Sequence, residues 1–523
     1  MKKIIHNSCL ITLLLSACTI TAENIDVYGL SFRLDNAGFL AGNGLINSFG
    51  IHHRQENKKV SGSLSVQLQG GATFKPGDIA RYFFFNNDTS MRVGQGGNSS
   101  TTDIYSINLL LPQAAVGATE TWASTLSASP RLTHFVADFA GMVHFDLPSL
   151  RGCFAELRLP VVHAEWDLRL SETSIVSTGT TIPAGYLATL GSGALTAPYT
   201  SVISALKGDK IVGEILLARQ YGNVDGKRKK TKFGDGKLTL GYYLVQEDKT
   251  QLGVGLVGLF NGDNKSSLDA HYLATPVIGT NARHGVGVQF NGAHIFYERN
   301  DKMLTLGFKA DVIHVLNEVM TRSYDATQHG VGSRYLLFKK FNTLNPASYG
   351  SEIKYLIDIS TIQAKINMTA IYDVAVMARY DYRNWAFDLG YHLNGHSKEN
   401  HNGWIDRVLP AGFFGALSAS TADVANNPTS ISTNNTINGV AAGHNTPTTT
   451  AVTGSNILTL DGLNKESGIA PAARSHHIFA NAGYHAHSRR YQPFIALGGG
   501  VSFNETNASS NLWELHLCGG LHF

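Results

Sequence analysis

Ionisable side chains recur at every second position in several stretches of the chain. They are the residues of this sequence best suited to bind ions or polar solutes. Glu156 and Arg158, for example, alternate with the apolar Leu157 and Leu159. Charges of both signs at this spacing can pair across neighbouring strands or hold water along a polar passage. The candidates for such a lining are Glu156, Arg158, Glu165, Asp167, Arg169, Lys309, Asp311, Asp373, Arg379, Asp381 and Asp388.

Period-two alternation indicates that β-strands carry these charges. Between Met368 and Tyr380 the even positions are apolar, whereas Asp373, Arg379 and Asp381 occupy odd positions. A short turn follows, and a second alternating run begins at Trp385. An apolar face opposite a charged face is typical of strands with lipid outside and water inside. A soluble sandwich would show the same alternation in a single hairpin, but the pattern recurs with aromatic residues at strand ends.

The last strand gives a more specific signal. Its apolar face carries Trp513, Leu515, Leu517, Leu521 and the terminal Phe523. A strand of this pattern that ends on an aromatic residue resembles the closing strand of bacterial outer-membrane β-barrels. The resemblance implies that these five residues form the signal read by the barrel assembly machinery. It also implies a multi-pass barrel in the cell outer membrane, with membrane lipid and lipopolysaccharide as partners.

Composition agrees with a barrel and excludes other classes. The chain has 54 Gly, 25 Phe and 20 Tyr but only 15% charged residues. After the amino terminus, no stretch has the roughly 20 consecutive apolar residues that a spanning helix needs. A membrane-spanning chain must then form a closed barrel. The formal charge is +3, of which Lys2 and Lys3 supply two, so a nucleic-acid-binding role is not expected.

Residues 1–22 have the pattern of a secretory signal peptide. Lys2 and Lys3 precede an apolar run and small residues. Cleavage after Ala22 is favoured, and acylation of Cys18 as a lipoprotein is the alternative. Residues 23–523 are expected to form a single barrel.

We predict an all-β, transmembrane antiparallel β-barrel of about 14–16 strands. Eleven strands are clear from Phe135 onwards, and an even total requires an odd number before it. Four segments compete for those places: 26–33, 62–69, 79–85 and 103–111. A further pair at 334–339 and 352–357 would raise the count from fourteen to sixteen.

The connections between the clear strands alternate in length. Those at 147–152, 247–250, 298–301, 382–383 and 488–490 are short, as periplasmic turns are. The remaining connections are longer, and the predicted long surface loops are 171–235, 315–365 and 395–474. The last contains no charged residue from Val424 to Leu460 and is expected to be flexible. The first contains a predicted short helix that either caps the barrel or folds inward. We also expect the strand phase to slip by one residue at Pro160, which lacks an amide donor.

No cofactor, metal site or enzymatic activity is predicted. His485 and His487 share a strand face, but no further residue completes a recognisable ligand set. The sequence also offers no evident Ser/His/Asn or paired Asp/His arrangement at strand tips.

The favoured function is a porin-like channel for passive diffusion of small polar solutes. The charges listed above fit either a selective polar passage or an ion-pair network that fills a narrow barrel. The main alternative is a structural or adhesive surface barrel that displays loop 395–474. A hydrophobic-compound transporter, with residues 36–49 as a plug, and a barrel hydrolase are weaker alternatives. Homo-oligomerisation is left open.

Overall fold

The computed structural model describes residues 59–523 apart from several short stretches. The stretches left out are 85, 87, 95–101, 114–121, 185, 188–192, 225, 262–275, 281–282, 346–347, 407–408, 410–411, 418–429, 433–435, 438–448, 452, 454–455, 487–490 and 507–510. The predicted signal peptide, the strand candidate at 26–33, the plug candidate at 36–49 and His487 lie outside the described residues.

Twelve antiparallel strands form a closed barrel, which confirms the predicted fold class. Each strand pairs with its neighbours in chain order, and the first pairs with the last. The strands are β1 Val60–Thr73, β2 Arg131–Phe145, β3 Cys153–Asp167, β4 Asp235–Gln246, β5 Thr250–Asn261, β6 Gly285–Arg299, β7 Lys302–Ser323, β8 Thr361–Tyr382, β9 Trp385–His396, β10 Ala473–His485, β11 Gln492–Thr506 and β12 Leu512–His522.

The barrel has two unlike ends. The connections between β2 and β3, β4 and β5, β6 and β7, β8 and β9, and β10 and β11 are all short and lie at the end where β12 finishes. We call this the turn end. The other connections, most of them long, meet at the opposite loop end, as predicted from their lengths. Phe523 closes the barrel at the turn end, where its N–H and C=O exchange hydrogen bonds of 3.0 Å with Gly62.

The strand number is lower than the predicted fourteen to sixteen because only β1 precedes β2 in the barrel. The candidate at 79–85 is part of helix α1, Pro76–Phe83, which begins on a proline. The candidate at 103–111 forms a two-residue strand and a 3₁₀ turn. The pair at 334–339 and 352–357 belongs to a separate sheet. Its strand Leu337–Phe341 is buried on both faces, so it has no side for lipid.

The predicted phase slip at Pro160 is wrong. Even-numbered residues of β3 are buried from Phe154 to Trp166 without interruption. The neighbouring strand breaks instead: Lys227–Phe233 pairs with the upper half of β3, and β4 pairs with the lower half. Gly234 lies at this break and donates to the C=O of Pro160 at 2.9 Å. The backbone nitrogen of Pro160 has no hydrogen to donate, and it faces the break between Lys227–Phe233 and β4, where the ladder is interrupted.

The loops at the loop end fold into one compact unit, which we call the loop cap. It comprises described residues of 74–130, 168–226, 324–360 and 405–470, and these share a hydrophobic core. Its elements are helices α1, α2 Val202–Ala205 and α3 Leu356–Ser360, a four-stranded sheet of Ser90–Gly94, Ile104–Tyr105, Trp122–Ser127 and Ser171–Ser177, a five-stranded sheet of Leu337–Phe341, Tyr349–Tyr355, Phe413–Ala416, Ser430–Ser432 and Thr449–Ala451, and the short pairs Thr181–Ile182 with Leu195–Thr196 and Asp325–Ala326 with Leu463–Asn464.

The described part of loop 395–474 belongs to this unit. Ile431 is fully buried, and the C=O of Ile437 accepts a 2.9 Å hydrogen bond from Tyr105 of another loop. The predicted helix of loop 171–235 corresponds to α2, whose Val202 and Ala205 pack in the core of the loop cap. Among the described residues, no helix is long and apolar enough to cross a membrane.

Two strands extend from the barrel into the loop cap. β7 and β8 are each 22 residues long and pair as far as Ser323 and Thr361. The strand Glu399–Trp404 adds to β8 in this upper part. The ladder between β7 and β8 is irregular between Ile313 and Glu318, which separates the barrel segment from the extension.

The outward face of the barrel is apolar and exposed. Leu240 is 58% exposed and Leu256 is 71% exposed. Aromatic pairs lie near both ends: Trp385 packs edge-on against Tyr484 at the turn end, and Phe74 against Phe503 at the loop end. An apolar band between aromatic girdles is the surface that a barrel presents to lipid. The chain is therefore a membrane-spanning barrel, and the predicted outer-membrane localisation is confirmed.

Candidate functional site in the barrel interior

Eight of the predicted lining residues lie inside the barrel. Their side chains have the parity of the buried face on β3, β7, β8 and β9, opposite to the lipid-facing residues. They are Glu156, Arg158, Lys309, Asp311, Asp373, Arg379, Asp381 and Asp388.

Glu165, Asp167 and Arg169 are not among them. Because β3 keeps its phase through Pro160, Glu165 and Asp167 point away from the buried face that carries Trp166. Arg169 follows the end of the strand and is half exposed, 3.9 Å from Asp167. The side chains that point into the barrel from this half of β3 are instead those of Val162, Ala164 and Trp166.

A central charge layer crosses the interior. Lys309 on β7 donates to both oxygens of Glu156 on β3, at 2.6 and 2.8 Å, although three strands lie between β3 and β7 along the wall. Beside this pair, Arg158 contacts Asp138 of β2 at 2.5 Å. Opposite charges on facing walls thus meet across the barrel.

The same layer continues towards β8 and β9. Lys237 of β4 lies 2.9 Å from Asp311 and 3.7 Å from Asp373, and Asp373 also contacts His392. The layer therefore contains the carboxylates of Asp138, Glu156, Asp311 and Asp373, the cations of Arg158, Lys237 and Lys309, and His392. Close pairing nearly balances these charges, as burial requires.

A second group lies nearer the turn end. Arg379 lies 2.9 Å from Asp381 and 4.0 Å from Asp388, and it also contacts His485. Ionised side chains thus continue from the central charge layer to the turn end of the interior.

An apolar cluster fills the loop end of the interior beside β2, β3 and β12. Ile79 of helix α1 and Ile278 of a neighbouring loop insert among buried side chains of the wall. The wall residues of this apolar plug are Leu132, Val136, Val162, Ala164, Trp166 and Leu512. The inward-folding helix is thus α1, which precedes β2, whereas the sequence pointed to the 171–235 connection.

Sequence reasoning missed three interior residues that the alternation could have identified. Lys237 precedes the outward Leu238, His392 follows the outward Tyr391, and Glu514 lies between two of the apolar residues assigned to the assembly signal. Each has the parity of the buried face. The period-two alternation that predicts the other lining residues therefore applies to these three as well.

Glu514 belongs to a hydrogen-bonded series with Ser502 and His477. His477 Nδ1 lies 2.9 Å from Ser502 Oγ, and its Nε2 lies 3.2 Å from Glu514 Oε1; Gln69 also donates to Glu514. Ser, His and Glu are residue types of hydrolases, but the backbone around Ser502 is paired on both sides within the sheet. These strands thus present no free pair of amides for an oxyanion. We interpret the series as polar lining.

No group of three or more His, Cys, Asp or Glu side chains with suitable geometry occurs in the part of the chain that the structure describes.

Comparisons with known proteins give only distant likenesses. No family model and no curated protein matches the sequence. Among solved structures, an outer-membrane channel from Pseudomonas putida F1 aligns over 90% of this chain and 98% of its own, with 10% identity and a TM-score of 0.34. A Pseudomonas aeruginosa FadL homologue aligns over 94% and 97%, with 10% identity and a TM-score of 0.28. The outer-membrane protease OmpT from Escherichia coli aligns over 90% and 97%, with 7% identity and a TM-score of 0.21. Likenesses at this level identify neither a family nor a substrate.

Proposed function

We propose that this barrel is a gated outer-membrane channel for small polar solutes and that the structure represents its closed state. The observation that carries the proposal is the central charge layer, with Glu156 and Lys309 meeting across the interior. Buried ion pairs contribute little net stability compared with apolar packing of the same volume. A barrel interior with a purely structural role gains little from so many of them, whereas a polar passage needs them to hold water and ions.

The apolar plug is the proposed gate. An apolar constriction blocks ions and polar solutes by excluding water. Its inner element, α1, enters from a loop between β1 and β2, so withdrawal of Ile79 leaves the barrel wall intact. Opening would then expose the central charge layer to solvent from the loop end.

Planar-bilayer recording of an Ile79→Asp variant tests the gate. A carboxylate among the apolar side chains of the plug disfavours insertion of the helix. We expect rare openings from the unmodified protein and stable, ohmic steps from the variant. Arg81→Asp is the matched control, since Arg81 is exposed on the same helix. Absence of steps from both variants would contradict the proposal.

Charge selectivity tests whether the central charge layer lines the passage. In the Ile79→Asp background, Arg158→Gln should shift the reversal potential towards cation preference, because Arg158 is a buried cation of that layer. Arg169→Gln removes the same charge outside the barrel and should leave the reversal potential unchanged. If both changes shift the reversal potential equally, the charges of the central charge layer do not determine selectivity.

A second candidate function is display of the loop cap as a binding structure on the cell surface. The observation that favours it is the shared hydrophobic core of the loops, which a simple diffusion pore does not need. A barrel that stays silent in all of these recordings would favour this candidate.

A further inference from the structure

Charged side chains form two adjacent rows on the outside of the barrel at the loop end. The first row is set by the register of Arg131, Asp167 and Lys227 on three neighbouring strands. In the next row towards the membrane, Glu165 is the pairing partner of Lys229. All have the parity of the lipid-facing residues, so these side chains project from the barrel wall.

Cations exceed carboxylates in these rows. Lys227 lies 2.7 Å from Glu165 yet keeps 60% of its side chain exposed. Arg131 and Lys229 form no ion pair with any residue that the structure describes, and both are exposed. With the half-exposed Arg169, four cations accompany Glu165 and Asp167, which leaves a net charge of +2.

The second row lies at the height of lipid headgroups, and the first row lies just above it. Phe135 and Phe233 belong to the lipid-facing surface of the same strands and are 49% and 59% exposed. Arg131 is four residues beyond Phe135, about 13 Å along the strand and about 10 Å along the membrane normal at the usual tilt. Lys229 lies two residues nearer the lipid, within the roughly 5–7 Å headgroup zone.

Other sectors of the perimeter differ at this level. On β7 and β9 the outward positions are occupied by His314 and Tyr391, and His314 Nδ1 and Tyr391 are engaged in hydrogen bonds to neighbouring strands. The sector formed by β2, β3 and Lys227–Phe233 therefore carries outward charges where β7 and β9 do not. General attraction of the barrel to an anionic membrane would not require cations to be concentrated in this one sector.

We propose that Arg131, Lys227 and Lys229 bind the phosphate groups of a phosphorylated glycolipid in the outer leaflet. Arg131 can donate two parallel hydrogen bonds to a phosphate, and the two ammonium groups supply further charge. The exposed aromatic rings below the rows contact the acyl chains of the same lipid. This site lies outside the barrel and does not depend on whether the interior conducts.

The experiment measures lipid binding to the full-length barrel purified in a neutral detergent. The probes are bis-phosphorylated lipid A, the same lipid with its phosphates removed, and inorganic phosphate. The test variant carries Arg131→Gln, Lys227→Gln and Lys229→Gln. The control variant carries Arg151→Gln, Lys249→Gln and Lys302→Gln, three exposed cations at the turn end. Heat-dependent electrophoretic mobility reports that each variant is folded.

We expect the unmodified protein to prefer phosphorylated lipid A, with a preference that weakens as salt rises. The test variant should lose at least about tenfold in affinity for that lipid and nothing for the dephosphorylated lipid. The control variant should bind as the unmodified protein does. Equal affinity for the two lipids, or full retention by the test variant, would overturn the site. Competition by millimolar inorganic phosphate alone would overturn its assignment to a lipid.

Discussion

The ion pair between Glu156 and Lys309 provides a direct measure of how dry the barrel interior is. Both residues are buried, and the ammonium group contacts both carboxylate oxygens. We consider Glu156→Gln, Lys309→Met and the double variant. Each single change leaves one charge in the interior without its main partner, whereas the double change removes both.

The expected magnitude follows from this burial. Removing one partner of a buried pair costs about 3–5 kcal/mol, because the remaining charge stays desolvated. We therefore expect each single variant to lose about 3 kcal/mol in the free energy of unfolding. The double variant should lose no more than one single variant does, since a neutral pair of similar volume is tolerated. The coupling energy is then at least about 3 kcal/mol.

Reversible urea unfolding in lipid vesicles, followed by tryptophan fluorescence, gives these free energies. The matched control is the cycle for Lys227 and Glu165, whose N–O distance of 2.7 Å is almost the same as that of Lys309 and Glu156. Lys227 is exposed to solvent, so this control cycle should show a far smaller coupling.

Additive effects at Glu156 and Lys309 would refute the reasoning. In a water-filled passage the two charges remain hydrated, and their coupling falls to about 1 kcal/mol or less. Coupling of that size in the unmodified background would mean that water reaches the central charge layer in the closed state.

Three further predictions concern the loop cap and assembly. Burial raises the pKa of Asp358 to about 6 from its ordinary 3.8, although two backbone amides donate to it, so the folded state favours the protonated acid. Resistance of the loop cap to protease should fall as pH rises from about 4 to 6, and Asp358→Asn should flatten this dependence. Gly222→Ala forces a side chain onto a φ of +66° and places its Cβ 2.4 Å from Ile357, so the loop cap should lose more than about 1 kcal/mol by thermal unfolding. Gly226→Ala, at φ +68° with no neighbour within 4 Å, should lose less. Deletion of Phe523 removes its two hydrogen bonds to Gly62 and the proposed assembly signal, so folded barrel should accumulate more slowly in a heat-modifiability assay.

Period-two alternation predicted the barrel correctly wherever a strand has lipid on one face. On β8, Asp373, Arg379 and Asp381 fall on the interior face because the apolar positions between them must face outward. The strand number depended on short apolar runs, which do not distinguish a strand from a buried helix. Ile79 belongs to such a run, and the proline at the start of α1 was the available evidence for a helix.

The errors on β3 had a different cause. A phase slip was predicted at Pro160, but β3 keeps its phase there and the irregularity falls on the neighbouring strand at Gly234. A single sequence does not reveal which partner absorbs the irregularity. A one-residue error in phase reverses every later side chain, and it moved Glu165 and Asp167 to the wrong face.

Contacts across the interior and among the loops were beyond the reach of local patterns. Glu156 and Lys309 are 153 residues apart, and Asp358 accepts from the backbone of Gln220, 138 residues away. Such pairs form because barrel closure brings distant strands together. The loop cap likewise draws its core from four loops that lie far apart in the sequence.

The strands β7 and β8 are longer than the others and join the barrel to the loop cap. At about 3.3 Å per residue, each measures about 70 Å, so the same two strands stiffen the loop cap and form part of the channel wall. Lys309, Asp311 and Asp373 lie on the wall side of the ladder irregularity between Ile313 and Glu318. That irregularity begins two residues beyond Asp311. We expect a ligand-induced movement of the loop cap to reach the interior charges along the continuous backbone of β7 and β8, without movement of α1.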